Sequence, residues 1–555
     1  MVRNSFPVLV VGAGPTGLAL ATELRRNGVP CRVIDQARER PVHQARAVAM
    51  WPGALDVLAR QGTADAVIDA GLRMSAARYW SGGRNVATVH LPRRPDGMPT
   101  LLGITQPAIE EVMVKRLHEL GVAVEWRTRL ETLTGHGDRV EVRLAGPDGA
   151  VEEMTASWVV GCDGAHSTVR ELCGIRFDGL TYSASYMLGD GRIDSRVPPG
   201  EAHYHLHPDG VIVLVTLPGG LLRVFADATT VGSLDTAPTR EELQELADRR
   251  MPYRLTIHDL QWSTRFLVHM RQAARYRSGR CLLAGDAAHV HSPAGGQGLN
   301  TGIQDAANLA WKLSLIMKGA AADPDRLLDS YAAERSPVAA EVLKATNLQT
   351  RLWNVRSGIG RAVRDTVLTA LDRAGVLQRR IVPSLTQEDL DYRRSPAVGR
   401  RGGRRALGPR GLPDSDLIPI GEGPHVSLRG LLDDHRHVLL VLAAASGADA
   451  AKVGEVRRAV APLGDLLATY VLLEQDKPGA GGEWAGPDAY LLPTGYAPAG
   501  ALRGCRLVLV RPDGYVADAS AGLDVTALTG LPTAPGGAAP EDTTPAARPG
   551  SPKQG

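Results

Sequence analysis

Aromatic residues, cysteines and any excess of one charge are all scarce in this chain, and each shortage removes a class of protein. Aromatics make up 4% of 555 residues, with only four Phe, so the cores have to be built mainly from Val, Leu, Ala and Ile. The five cysteines, Cys31, Cys162, Cys173, Cys281 and Cys505, are scattered, odd in number and without a CxxC pair. That pattern argues against a disulfide framework and a zinc site, and for a reducing cytoplasm; no metal is expected. Basic and acidic residues nearly balance, 63 against 60, which leaves no footprint for nucleic acid. No apolar run approaches the ~18 residues that cross a bilayer, and the run at 8–11 ends at once in glycine, so neither a membrane span nor a signal peptide is expected. With 44% hydrophobic and 22% charged residues the composition is that of a globular protein, long enough for roughly two to four domains.

What the chain does have is glycine-bearing junctions between strands and helices. Residues 7–11 read as a buried strand and lead directly into Gly12-Ala13-Gly14-Pro15-Thr16-Gly17, then a helix through residues 18–26 that stops at Asn27-Gly28. A second strand, residues 31–34, ends at Asp35, 18 positions after Gly17. In that setting GxGxxG predicts a dinucleotide site. Gly12 permits the turn, Gly14 lets a pyrophosphate approach the backbone, Gly17 lets the helix pack on the strand, and Asp35 accepts the adenosine ribose hydroxyls.

A second junction follows Trp158-Val159-Val160, at Gly161-Cys162-Asp163-Gly164, with Arg170 just beyond it. A third follows the short run 281–284, at Gly285-Asp286, and continues through a Gly- and Pro-rich loop, residues 292–298, into a helix. Thr301-Gly302-Ile303-Gln304 fits a capping box, which predicts a helix start close to Thr301 and an end near Lys318-Gly319. A glycine-lined loop feeding a helix N-terminus suits an anion, or a carbonyl that becomes negative.

Between these junctions, Thr105-Gln106-Pro107 opens a helix, and the alternation of residues 139–144 with the Pro147-Asp148-Gly149 turn predicts a β-meander. Residues 176–275 are β-rich. Alternation places His203 and His205 on one strand face and Tyr204 on the other. The returning strand, residues 211–217, has no charged side chain, so a pocket walled by it prefers a large, mostly apolar ligand. Residues 338–352 form an amphipathic helical stretch, and 399–424, in part Arg/Gly/Pro-rich, reads as a connector. Beyond it come a strand at 437–442, a helix at 450–461, a strand at 469–473 and a hairpin at 506–517 around Pro512-Asp513-Gly514. Residues 531–555, rich in Pro, Ala, Gly and Thr, are expected to form a disordered tail.

In order and spacing the three junctions resemble the single-component FAD-dependent aromatic monooxygenases of the polyketide type, which share the para-hydroxybenzoate hydroxylase fold. The resemblance spans roughly the first 390 residues and is more specific than any one motif. It implies an α/β fold. A Rossmann-like FAD-binding domain would be formed by residues 1–175 and 276–395, with an inserted β-sheet substrate domain at 176–275. A thioredoxin-like domain would follow at 399–530 and the tail at 531–555. Ala445-Ser446-Gly447-Ala448 holds no cysteine pair, so that domain is expected to serve structure or oligomer contacts, as in a homo-oligomer, and not dithiol chemistry.

By the same resemblance Gly12, Gly14, Pro15, Thr16, Gly17 and Asp35 hold the ADP half of FAD, and Arg46 and Gln106 reach its pyrophosphate and ribityl region. Asp163 touches both FAD and the passing nicotinamide, and Asp286 binds ribityl hydroxyls. Pro293, Gly298, Leu299 and Asn300 line the flavin, the last three offering backbone N–H groups to its pyrimidine edge. NADPH or NADH reduces FAD, oxygen adds at the flavin C4a carbon, and the hydroperoxide hydroxylates an electron-rich ring. The chain carries one complete GxGxxG in a strand-helix setting, which fits a nicotinamide that binds transiently in a groove. The expected substrate is a polycyclic, polyketide-like aromatic, with molecular oxygen as co-substrate. Tyr204 is the candidate catalytic base. Baeyer-Villiger or epoxidising chemistry on the same fold is the alternative, followed by a non-catalytic flavoprotein.

Overall fold

The apolar runs before the three glycine junctions become three neighbouring parallel strands. Ser5–Val11 pairs with Val151–Gly161, which pairs with Cys281–Leu283. Val11 lies opposite Gly161 and Gly161 opposite Leu283, so all three junctions leave the sheet at one edge, beside each other. Cys31–Ile34 and Val124–Glu125 extend the parallel set on the far side. These strands are covered on both faces, which is why they read as continuous apolar runs without alternation. Arg129–Gly135, Val140–Ala145 and Val151–Gly161 form the antiparallel meander that the alternation predicts.

This computed structural model describes residues 5–39, 47–94, 97–229, 236–387, 390, 392, 394–398, 415–420, 425–432, 435–444, 449–474, 488–493, 504–528 and 531–533. Arg46, most of the 399–424 connector, the 445–448 segment and the tail from 534 onward lie outside the described residues.

The helices Pro15–Arg26 and Gly298–Met317 pack side by side on the parallel sheet, and glycines set how closely. A Cβ at Gly17 would sit 1.9 Å from the Gly12 carbonyl oxygen, and one at Gly302 would sit 2.3 Å from Thr16 Oγ1. Residues 300–314 are buried on every side, so this helix is central to the domain and not a surface element.

Its start corrects the sequence reading. The helix begins at Gly298 with Gln297 as N-cap, and no capping box forms at Thr301. Thr301 already donates its N–H to Gln297 O, and its hydroxyl bonds to the same oxygen at 3.0 Å. Gln304 is drawn away to Gln387 at 2.6 Å. The capping-box pattern lies one turn inside the helix, because both side chains serve packing. The following helix, Pro324–Trp353, is also one element of 30 residues with Pro337 inside it.

A second sheet, eight-stranded, stands beyond the junction edge, in the order His289–Val290, Thr256–Ala273, Phe177–Asp194, Leu222–Asp227, Gly210–Thr216, Glu201–His207, Ala76–Ser81, Arg84–His90. Its last two strands come from residues well before 176. Tyr204 lies opposite Val213, with His203 and His205 turned to the other face of the sheet.

A third, seven-stranded sheet centres on His437–Ala444, parallel to Leu467–Glu474 and antiparallel to Leu507–Val510, with the helix Ala450–Val460 in the connection from His437–Ala444 to Leu467–Glu474. Residues 416–419 of the expected connector belong to it. Asp416–Pro419 is a strand whose Leu417 is fully buried in that core. The whole is a mixed α/β fold with several sheets. Among the described residues no helix is long and apolar enough to cross a membrane.

Candidate active site

Each junction turn is held by a carboxylate. Behind the first, Asp35 Oδ2 accepts the Ala13 N–H at 2.8 Å and Oδ1 accepts Ala37 N at 2.8 Å, so the acid ties the glycine loop to the end of the next strand. Gly12 adopts φ +104°, where a side chain would be strained, and its Cβ would strike Cys162 O at 2.4 Å. Gly14 differs, since no atom lies within 4 Å of a Cβ built there. The loop leaves open space at that point, as a close approach of phosphate requires.

At the second junction Asp163 Oδ2 accepts Val169 N at 3.1 Å, while Oδ1 is buried without a partner. Burial pushes this carboxyl up, against the hydrogen bonds from Ser167 and Val169. Arg170 joins the second turn to the third. It donates to Ala165 O at 2.8 Å and to Ala287 O at 3.0 Å, with its guanidinium 3.9 Å from the Phe177 ring centroid. At the third, Asp305 Oδ2 accepts the Gly285 N–H at 3.1 Å, and Asp286 opens onto the cavity.

The turns border one cavity of about 730 Å³, in the upper part of the range for small-molecule sites. It brings together Gly14, Pro15, Thr16, Gln106, Tyr204, Asp286, Pro293, Gly298 and Leu299 from the sequence reading. Gly12, Gly17 and Asp35 stand behind its first turn, and Asp163 behind Gly164 and Ala165, which line it. Asn300 is set back, fully buried. Its amide donates to Ala49 O and Gly296 O, and its Oδ1 accepts Trp51 N at 2.7 Å, so its side chain fastens the loop to the helix. Gln106 spends its amide on Glu110 at 2.8 Å.

At the far end the cavity is aromatic. Tyr79 stacks on Tyr204 at 4.7 Å, and Trp353 stands 5.7 Å from Tyr204 and 6.0 Å from Phe225. Two of the chain's four Phe, Phe225 and Phe266, line it. Burial pushes the Tyr204 phenol up to about 12, so its hydroxyl stays protonated and can donate rather than remove a proton.

Residues that the sequence reading missed also line this space. Arg223 enters from Leu222–Asp227, gripped by Asp190 through two 2.6 Å bonds, with its guanidinium 5.7 Å from the Trp262 ring. The strand one turn beyond residues 211–217 carried that signal. His291 lines the cavity beside Gly298; its Nδ1 donates to Ser292 O at 2.9 Å, which leaves Nε2 as the bare acceptor nitrogen, buried without a partner. Burial holds this imidazole down to about 4, hence neutral. It stood in the third motif, among the residues that sequence reasoning passed over.

A flavin dinucleotide fits this donor set. The open space at Gly14 accommodates a pyrophosphate, and the first N–H groups of the Gly298 helix have no carbonyl one turn back to bond. Their direction and the helix dipole favour a ring edge that gains negative charge. Among the described residues no cluster of His, Cys, Asp or Glu could hold a metal ion.

Residues 5–346 match the family model described as FAD binding domain. The chain is 35% identical to the 6-methylpretetramide 4-monooxygenase of Streptomyces rimosus over 97% of its own length and 95% of the relative's. It is 32% identical to the pentachlorophenol 4-monooxygenase of Sphingobium chlorophenolicum over 82% of its length and 84% of that protein's. Among solved structures it resembles CabE, an aromatic hydroxylase from angucycline biosynthesis, with a TM-score of 0.73 at 30% identity, covering 93% of this chain and 96% of that one. The OxyS anhydrotetracycline hydroxylase from Streptomyces rimosus gives 0.72 at 28% identity, with 93% and 96% covered.

Proposed function

Because the chain belongs to the FAD binding domain family, as an FAD-dependent monooxygenase of the aromatic hydroxylase type, we propose that it hydroxylates a large, mostly apolar, polycyclic polyketide-like aromatic at the expense of NAD(P)H and oxygen. The observation that carries this reading is the single cavity that runs from the N-terminus of the Gly298 helix to the aromatic wall of Tyr79, Tyr204, Phe225 and Trp353. Bound FAD would supply the two-electron reduction by NAD(P)H and the activation of oxygen.

The protein's own residues bind, orient and shield. In this reading Gly12, Gly14, Pro15, Thr16, Gly17 and Asp35 hold the ADP half, Gln106 and Asp286 the ribityl stretch, and Asp163 stands where flavin and nicotinamide meet. Pro293 shapes the loop, and the N–H groups at Gly298, Leu299 and Asn300 stabilise negative charge at the pyrimidine edge. Arg170 keeps the second and third turns at a fixed spacing. The aromatic wall excludes water and stacks on a flat substrate. Tyr204 acts there as a wall and a hydrogen-bond donor, since its hydroxyl stays protonated.

In domain terms, residues 1–175 and 276–395 are read as a Rossmann-like FAD-binding unit and 176–275 as the substrate sheet. Residues 399–530 are read as a thioredoxin-like domain without redox cysteines, its central parallel pair and antiparallel hairpin supporting that assignment. A cytoplasmic homo-oligomer completes the picture.

Stopped-flow absorbance of the anaerobic enzyme with NADPH tests the function, with and without a panel of polycyclic phenols and quinones. Reduction accelerated by one scaffold, and a product heavier by one oxygen on a ring carbon, is the expected outcome. Oxygen found next to a ketone or in an epoxide would move the reading to the alternative chemistry. Flavin that neither nicotinamide can reduce would overturn it.

A further inference from the structure

A cluster of six buried charges behind the Gly298 helix gives the C-terminal domain a task at the flavin site. Arg511 lies in the turn between Leu507–Val510 and Val516–Ser520, 1% exposed, and enters the neighbouring domain. It donates to Glu334 at 2.7 and 3.0 Å and to Asp513 at 2.9 and 2.5 Å. Glu334, on the helix Pro324–Trp353, also accepts from Lys312 Nζ at 2.9 Å and Asn308 Nδ2 at 2.6 Å, both on the Gly298 helix. Asp513 accepts Trp311 Nε1 at 3.1 Å.

The run continues toward the cavity. Arg335, next to Glu334, donates to Asp305 Oδ1 at 2.6 Å and to the Tyr392 hydroxyl at 2.8 Å. Ser395 links Tyr392 back to Glu334. Asp305 holds the Gly285 N–H and His289. Three acids, Asp305, Glu334 and Asp513, thus meet three bases, Lys312, Arg335 and Arg511, all 5% exposed or less. Buried pairs of this kind are a weak source of net stability, yet removing one partner alone is strongly destabilising.

We propose that Arg511 is a positioning residue of the flavin site: through Glu334 and Arg335 it fixes the Gly298 helix against the Gly285-Asp286 turn, so that the C-terminal domain sets how firmly FAD is held. This gives a role to a domain that has no redox cysteines, although none of its described residues borders the cavity. The proposal rests on the placement of flavin against Asp286 and Gly298.

The test is flavin binding by the full chain. The double variant Arg511→Met/Asp513→Asn removes one cation and one anion together, leaving Lys312 matched by Glu334 and Arg335 by Asp305. The expected result is a Kd for FAD raised about tenfold, with a shifted visible flavin band and more peroxide released per NADPH. Arg511→Lys, which keeps the charge, is expected to recover FAD affinity in part. A double variant that melts earlier but binds FAD with unchanged Kd, band and coupling overturns the proposal, since the cluster is then only a joint between domains. If that variant does not fold, Trp311→Phe deletes one bond to Asp513 and leaves every charge paired. A rise of about twofold in Kd supports the proposal, and no rise overturns it. Asp286→Ala separates the premise from the proposal. If it leaves FAD binding unchanged the flavin placement fails; if it alone weakens binding, only the role of Arg511 fails.

Discussion

Gly285 donates its backbone N–H to Asp305 Oδ2 at 3.1 Å, across twenty residues of chain, and His289 bonds to the same oxygen at 2.7 Å. Arg335 takes the other oxygen at 2.6 Å. Complete burial pushes this carboxyl up, yet Arg335 and His289 outweigh it and hold it below the usual carboxylate range. The third junction is therefore anchored to the middle of the central helix by an ionised, fully enclosed acid.

Asp305→Ala is expected to leave Arg335 buried without a counter-charge and Gly285 without an acceptor. Breaking one half of a buried pair costs about 3–5 kcal/mol, so the urea midpoint of the apoprotein should fall sharply. Asp305→Asn, which keeps the shape and one acceptor, should fall less. Equal losses in the two variants would mean that charge is not what the site needs.

The glycines of the first junction separate folding from binding. Gly17→Ala places a Cβ 1.9 Å from Gly12 O, so the helix must move off the strand, and both the melting temperature and FAD affinity should drop. Gly14→Ala meets no atom within 4 Å and has an ordinary φ of −73°. That variant should keep the melting temperature of the apoprotein while its Kd for FAD rises about tenfold or more. Calorimetry of the apoproteins beside FAD titration reads both quantities, and a folded Gly14→Ala with an unchanged Kd would place the phosphate elsewhere.

Tyr204→Phe distinguishes wall from base. The hydroxyl is held near 12 by burial and its ring is stacked on Tyr79. Removing only the oxygen should leave kcat within about threefold and raise KM modestly, because general base catalysis is worth about a hundredfold or more. Steady-state kinetics on the scaffold that accelerates flavin reduction decides, and a hundredfold loss in kcat would restore Tyr204 as the base.

The parts of this site that were legible in the sequence are those whose physics is local. A glycine needed where a strand turns into a helix stands beside its own apolar run, and Gly12, Gly164 and Gly285 each announced themselves in that way. Side chains recruited from afar left no such mark. Thr301 and Gln304 imitate a cap, yet they bond to Gln297 and Gln387. Asn300 is read in sequence for its backbone N–H, and nothing local announces that its side chain closes a loop onto Trp51. Tyr79 reaches the second sheet by a parallel pairing with residues 201–205, and Arg511 meets Glu334 across 177 positions. No periodicity or spacing encodes either meeting, because one depends on which distant strands pair in a sheet and the other on how a C-terminal turn packs against a distant helix.

Buried histidines cost the fold stability as pH falls below about 6.5. Burial holds His205 down to about 4, helped by the neighbouring His203, and holds His437 down to about 3, helped by Arg511. In the unfolded chain each returns to about 6.5. The folded pKa is the lower one, so between these values the unfolded chain binds a proton that the folded chain refuses. The contribution to stability is intact above about pH 6.5 and is lost as pH falls toward the folded pKa, by about 1.4 kcal/mol per pH unit for each group. His205 is packed between Trp80, His203 and Tyr253 and lies on the face of the sheet away from Tyr204, so its replacement does not touch the cavity. Urea midpoints of the wild type and His205→Gln measured between pH 7 and 5 should converge as the pH drops, the variant falling less steeply by about one proton. Parallel curves would mean that His205 titrates in the folded protein as it does in water, and that the packing around it is open.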